Sequence, residues 1–158
     1  MRHSRKTVVG TAAVIVGMLS MFSVSAAEAT TGTEKLEIQS RTVESVDIDV
    51  DGNGKFSQGD QSIFADRLIQ DGKHVGTSGG VCTVTRAASK KDSTFHCVVT
   101  FDLPKGQITT QGLIDAEKKE FKEAITGGTG AYKNAGGEVL VKLVSKGADL
   151  TFFIDNLG

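Results

Sequence analysis

The stretch VCTVTRAASKKDSTFHCVVTFDL, residues 81–103, constrains the fold more than any other part of the chain. Val81 to Arg86 and Thr94 to Leu103 are rich in β-branched and aromatic residues, and the polar segment AASKKDS separates them. Two such runs around a polar turn predict an antiparallel hairpin. With the turn centred on Ser89 and Lys90, Cys82 and Cys97 come directly opposite each other. Opposed strand residues lie within reach of a disulfide. These are the only two cysteines in the chain, so a single Cys82–Cys97 bridge is expected.

The rest of the chain also reads as strands. KLEIQSRTVESVDIDV is long and mostly alternating, and QSIFADRLI and GKHVGTSGGV follow it. GQITTQGLID is threonine-rich and bounded by Pro104 and Gly106. EFKEAIT alternates poorly, and Ala116 to Ala124 are good helix formers. So short a run is marginal as a helix, however, and glycines end it at once. GEVLVKLVS and DLTFFID, joined by KGA, predict a closing hairpin. About eight short strands with regular turns imply an antiparallel sandwich or barrel. The expected fold is all-β, an eight-stranded antiparallel β-barrel. A barrel of that size is filled by side chains or keeps one small ligand cavity.

The first residues do not belong to that domain. Arg2, Arg5 and Lys6 precede the apolar run TVVGTAAVIVGMLSMF, and the small-residue segment SVSAAEA follows. This order predicts a secretory signal over 1–27, a flexible lead-in over 28–34 and one barrel domain over 35–158. The run is short for a membrane span and broken by Gly10 and Gly17, so no stable membrane insertion is expected after cleavage. Removing it lowers the basic residues from 18 to 15 against 19 acidic ones. An acidic chain lacks the basic footprint that nucleic acid requires. Export also favours the disulfide over a zinc site, since two cysteines alone do not supply four ligands.

DVDGNGKFSQGD, residues 49–60, spells a calcium loop. Asp49, Asp51, Asn53 and Asp60 supply side-chain oxygens at calcium-loop spacing, Lys55 offers a backbone carbonyl, and Gly54 makes the sharp turn. The flanks read as strands rather than helices. The second reading is therefore a polar connection held by side-chain turns. ITGGTGAYKNAGGE clusters glycines without dinucleotide or P-loop spacing, which suits a tight corner at one barrel end. No Gly-x-Ser-x-Gly elbow is present, and the close carboxylates Asp47, Asp49 and Asp51 are local rather than placed across a cleft.

The segments FADRLIQDGKHVGTSGGVCTVTR, FHCVVTFDLPKGQITTQGLI and AITGGTGAYKNAGGEVLV together resemble the allene oxide cyclase barrel family and the related dirigent proteins. The resemblance runs from Glu34 to Leu157. It implies an eight-stranded barrel with a central apolar cavity, which either folds a flexible apolar substrate into a ring or guides radical coupling. No cofactor is required by either activity. Glu37-Ile38-Gln39 falls where the cyclases carry Glu-x-Asn on the first strand, and Cys82 falls on the family cysteine position. The resemblance thus makes Glu37 and Gln39 the candidate catalytic pair. The other reading of Glu37 is a strand carboxylate facing solvent or a satisfied core pair. The expected activity is a secreted barrel binding a small apolar molecule, as an isomerase or cyclase. A non-enzymatic carrier and a calcium-stabilised interaction module are the alternatives. A homo-oligomer is compatible with all three.

Overall fold

The computed structural model describes residues 32–89 and 91–156. The expected signal, 1–27, and the first part of the lead-in lie outside these residues. Eight strands run in chain order: β1 (Thr33–Ile48), β2 (Gln61–Gln70), β3 (Lys73–Ala87), β4 (Ser93–Leu103), β5 (Gly106–Asp115), β6 (Glu120–Gly128), β7 (Ala135–Val144) and β8 (Gly147–Asn156). Each pairs antiparallel with its sequence neighbour, and β8 returns to pair with β1. The sheet is therefore a closed barrel rather than a sandwich. β1 begins at Thr33, two residues before the expected start of the barrel domain.

Alternation decides which side chains enter. In β4, Cys97, Val99, Phe101 and Leu103 are buried; in β8, Ala148, Leu150, Phe152 and Ile154 are. Successive side chains of a strand point to opposite faces, so one residue in two fills the inside. The segments GKHVGTSGGV and VCTVTR merge into the single strand β3. EFKEAIT is part of strand β6 despite its helix formers, because Phe121 and Ile125 share the inner face at period two.

One half of the barrel is filled. Leu68, Ile108, Val139, Phe152 and Ile154 are wholly buried there. Phe101 and Phe152 meet edge to face, with ring centroids 5.0 Å apart. Each such buried side chain stabilises the fold by about 1.5–3 kcal/mol. The glycine corner seals this end. The Thr129 N–H donates to the Gln107 carbonyl at 2.8 Å, and the Ala131 N–H donates to the Lys105 carbonyl at 2.9 Å. Gly130, with φ +59°, lies so close to the Lys105 carbonyl that a Cβ there would collide with it. The motif is a corner, as its spacing suggests.

The other half is open, and the 49–60 connection borders it. Gly59 N–H donates to the Val84 carbonyl at 2.9 Å and Val84 N–H to the Asp60 carbonyl at 2.8 Å, so the β2–β3 ladder continues into the loop. Phe56 leans on Phe95 at 6.1 Å. Cys82 and Cys97 face each other in register and form the expected disulfide. The bridge ties β3 to β4 beside the open half. Replacing both cysteines with alanine is expected to lower the unfolding free energy by about 3 kcal/mol in the chain-entropy picture. A reduced urea midpoint would report it. An unchanged midpoint would show that the bridge does not limit the unfolded chain.

Candidate functional site

The open half encloses a chamber of about 230 Å³. Phe64, Phe101 and Phe121 supply aromatic wall, and Val99, Val141 and Leu150 aliphatic wall. A wider vestibule of about 660 Å³ lies toward the 49–60 loop. Cys82, Cys97, Ile114, Phe121 and Leu143 line both spaces, so the disulfide is part of the wall between them.

Two carboxylates interrupt this apolar lining. Asp66 takes an inward position of β2, between Phe64 and Leu68. It is 6% exposed. Its Oδ2 accepts the Ser40 hydroxyl at 2.7 Å and the Ser78 hydroxyl at 3.2 Å. These serines come from the flanking strands β1 and β3, and Ser78 is directly opposite Asp66 in register. Asp66 Oδ1 is buried without any hydrogen-bond partner. A buried acceptor left unmatched costs about 1–3 kcal/mol. Such an orphan in a cavity wall marks a place where something else completes the bond.

Glu123 takes an inward position of β6 and is 4% exposed. The Thr110 hydroxyl donates to its Oε2 at 2.6 Å. Burial pushes the Glu123 carboxyl up from its ordinary value, and the Thr110 hydrogen bond opposes that rise only in part. Desolvation penalises the charged form of an acid in just this direction. Gly112 makes the room: a Cβ there would lie 2.9 Å from Glu123 Cγ. The chamber thus carries an acid biased toward its protonated form and a carboxylate with one bare oxygen. That pairing can bind and exchange protons.

The resemblance-based pair does not enter this chamber. Glu37 and Gln39 do share a face, but it is the outer one, and both are exposed. Glu37 pairs with Lys35 at 2.6 Å, in the open. Leu36, Ile38 and Ser40 occupy the inward positions because burying two apolar side chains outweighs burying a charge. Cys82 is held in the bridge and offers no thiol.

The 49–60 loop brings together three of its five candidate ligands. Oxygens of Asp49, Asp51 and Asp60 lie within 4.8 Å of one another. Asn53 turns back on the chain: its Oδ1 accepts the Lys55 N–H at 2.7 Å and its amide donates to Asp51 Oδ2 at 2.7 Å. Asp49 accepts the Gly52 and Gly54 N–H groups at 2.9 and 2.6 Å. Asp60 accepts the Val50 and Ser57 N–H groups at 3.1 and 2.7 Å. The Asn53 N–H holds the Asp51 carboxyl below the usual range. The flanks are strands β1 and β2, so the loop is a side-chain-braced connection within a barrel and not a helix–loop–helix.

Asp66 and Glu123 leave a trace in the sequence. Each is the polar residue that spoils an otherwise apolar inward series, Phe64-x-Asp66-x-Leu68 and Phe121-x-Glu123-x-Ile125. Glu123 also carries a pH signature. Unfolded, it ionises near its ordinary value of 4.5; folded, burial keeps the proton to higher pH. Its stabilising contribution is therefore complete below the unfolded value and is lost as pH rises through the folded one. Glu123→Gln removes that loss. Its thermal midpoint relative to the native chain should rise as pH increases above the ordinary value of 4.5. A difference that does not vary with pH would contradict the placement.

Comparison with known proteins agrees with the barrel fold. The allene oxide cyclase barrel like domain family matches residues 37–154. A solved structure of a pyocyanin demethylase is 30% identical, with TM-score 0.69, covering 77% of this chain and 99% of that one. A nonspecific heme-binding cyclase of neoabyssomicin biosynthesis is 13% identical, with TM-score 0.61, covering 77% of this chain and 64% of that one. The Diels Alderase AbmU from Streptomyces koyangensis is 12% identical, with TM-score 0.60, covering 82% and 72%. The last two likenesses concern the fold alone. No curated protein sequence matches the chain. By its sequence match and its closed barrel, the chain belongs to the allene oxide cyclase barrel like family.

Proposed function

We propose that the barrel binds a small, largely apolar molecule in its chamber and rearranges it by proton transfer between Asp66 and Glu123. The observation that carries this reading is Asp66, which lines the largely apolar chamber and whose Oδ1 is buried without a protein partner. Two serine hydroxyls hold the other oxygen, so the carboxylate is oriented before a ligand arrives. Preorganised groups of this kind act without rearranging at the moment of reaction.

In this reading Asp66 takes a proton from the ligand and Glu123 returns one at another position. The ligand is isomerised or closed into a ring with no net gain or loss of atoms. A positioned acid or base contributes about 10²–10⁴-fold to rate. The aromatic and aliphatic walls exclude water and fold the ligand against the two carboxyls. Among the described residues, no histidine, methionine, tyrosine or free cysteine lines the chamber or the vestibule, so they offer a haem none of its usual axial ligands. The charged, apolar and small-residue order of residues 1–27, together with the disulfide, supports action outside the cytosol.

The test is untargeted mass spectrometry of a small-molecule extract incubated with the protein. The expected result is at least one product of the same mass as its precursor. Asp66→Asn and Glu123→Gln should each slow its formation by about 100-fold or more. Equal formation by the native chain and both variants would sink the mechanism. A ligand retained but unchanged would instead identify a carrier. The likeness to a pyocyanin demethylase adds a second reading, loss of a methyl group, which the same spectra would register as a mass change.

A further inference from the structure

The chamber's charges are one-sided. Its lining includes Asp66 and Glu123 but no lysine, arginine or histidine. Ser40 and Ser78 both spend their hydroxyls on Asp66 Oδ2, so no lining group answers Oδ1. A carboxylate in apolar surroundings calls for a counter-charge or a donor. The described residues supply none at Oδ1, and a ligand in the chamber can supply it.

Two further observations decide between a neutral donor and a cation. Phe64, Phe101 and Phe121 line the chamber, and the electron-rich faces of aromatic rings attract positive charge. The way in is acidic too. Asp47, Asp49, Asp60 and Asp115 line the vestibule against only Lys55 and Lys118. A passage lined mainly by one sign of charge concentrates the opposite sign and repels its own. A neutral donor would satisfy Asp66 and pack on the rings, but it would gain nothing from the charge attraction of their faces or of the passage.

We infer that the ligand of this chamber is a small organic cation, seated with its positive end against the Asp66 carboxylate. The inference rests on the ligand-binding reading given above and narrows it. It also suits the chemistry, because a positive charge acidifies neighbouring C–H and O–H bonds and so assists removal of a proton by Asp66. Glu123, biased toward its neutral form, adds no second negative charge and can donate to the ligand's other end.

Three probes of similar shape test it: N-methylquinolinium (cationic), 1-methylnaphthalene (neutral) and 1-naphthoate (anionic). Each is titrated into the disulfide-bonded protein by calorimetry, at low and at physiological salt. The cation should bind at least about 10-fold more tightly than the neutral probe, and the anion most weakly, as expected for a desolvated charge pair beside aromatic rings. Asp66→Asn should bring the cation-to-neutral ratio close to one while keeping affinity for 1-methylnaphthalene, which shows that the variant still folds. If that variant does not fold, the ratio in the native protein decides alone. Neutral binding equal to or tighter than the cation's would overturn the inference and leave ligand binding intact. A preference that survives in folded Asp66→Asn would overturn the seat at the Asp66 carboxylate. Binding of none of the three would overturn both the inference and the reading beneath it.

Discussion

Pairing of β8 with β1 is the contact on which the rest depends. It runs from Thr33 opposite Asp155 to Ser40 opposite Ala148. Without it the sheet would have two edges and two faces, and half of its apolar side chains would face water. With it, one face becomes an interior. Every inward residue then meets neighbours from across the barrel as well as from adjacent strands. Ile38 and Leu150 are buried for this reason although each lies on a strand whose other face is wet.

Closure also explains why a carboxylate can stay inside. The filled half, with Leu68, Ile108, Val139, Phe152 and Ile154 fully buried, supplies the stabilisation that the open half does not. Unmatched Asp66 Oδ1 and desolvated Glu123 are both unfavourable for folding, by a few kcal/mol at most for groups of this kind. Functional sites commonly hold such costs where the surrounding structure over-determines the geometry. Here the over-determination is visible: Asp66 is clasped by serines from the strands on either side, and Glu123 has Thr110 as donor and Gly112 as space.

Much of the fold was legible in the sequence because local signals and closure agree. The hairpin around Ser89 set the Cys82–Cys97 register, and strong alternation in LTFFID and FHCVVTFDL set the inward faces of β8 and β4. The site was less legible, for two physical reasons. Alternation says that Glu37 and Gln39 share a face; it does not say which face is inside. That depends on Leu36 and Ile38 being the residues worth burying. Asp66 and Glu123 were hidden because each weakens the very pattern that identifies a strand, so the best clue to function reads locally as noise. The 49–60 loop shows the opposite hazard. Its spacing is that of a calcium loop, and it does gather Asp49, Asp51 and Asp60. Yet Asn53 is turned to its own backbone and the flanks are barrel strands.

The proposed chemistry depends on a ligand that completes the Asp66 carboxylate inside the chamber. A crystal structure of the protein with N-methylquinolinium bound tests it most directly. The expected result is the ring among Phe64, Phe101 and Phe121, with its charged nitrogen end against Asp66 and Glu123 within reach of the far end. Density confined to the outer face near Glu37 and Gln39, or a chamber closed by its own side chains with Asp66 Oδ1 bonded to the protein, would contradict it.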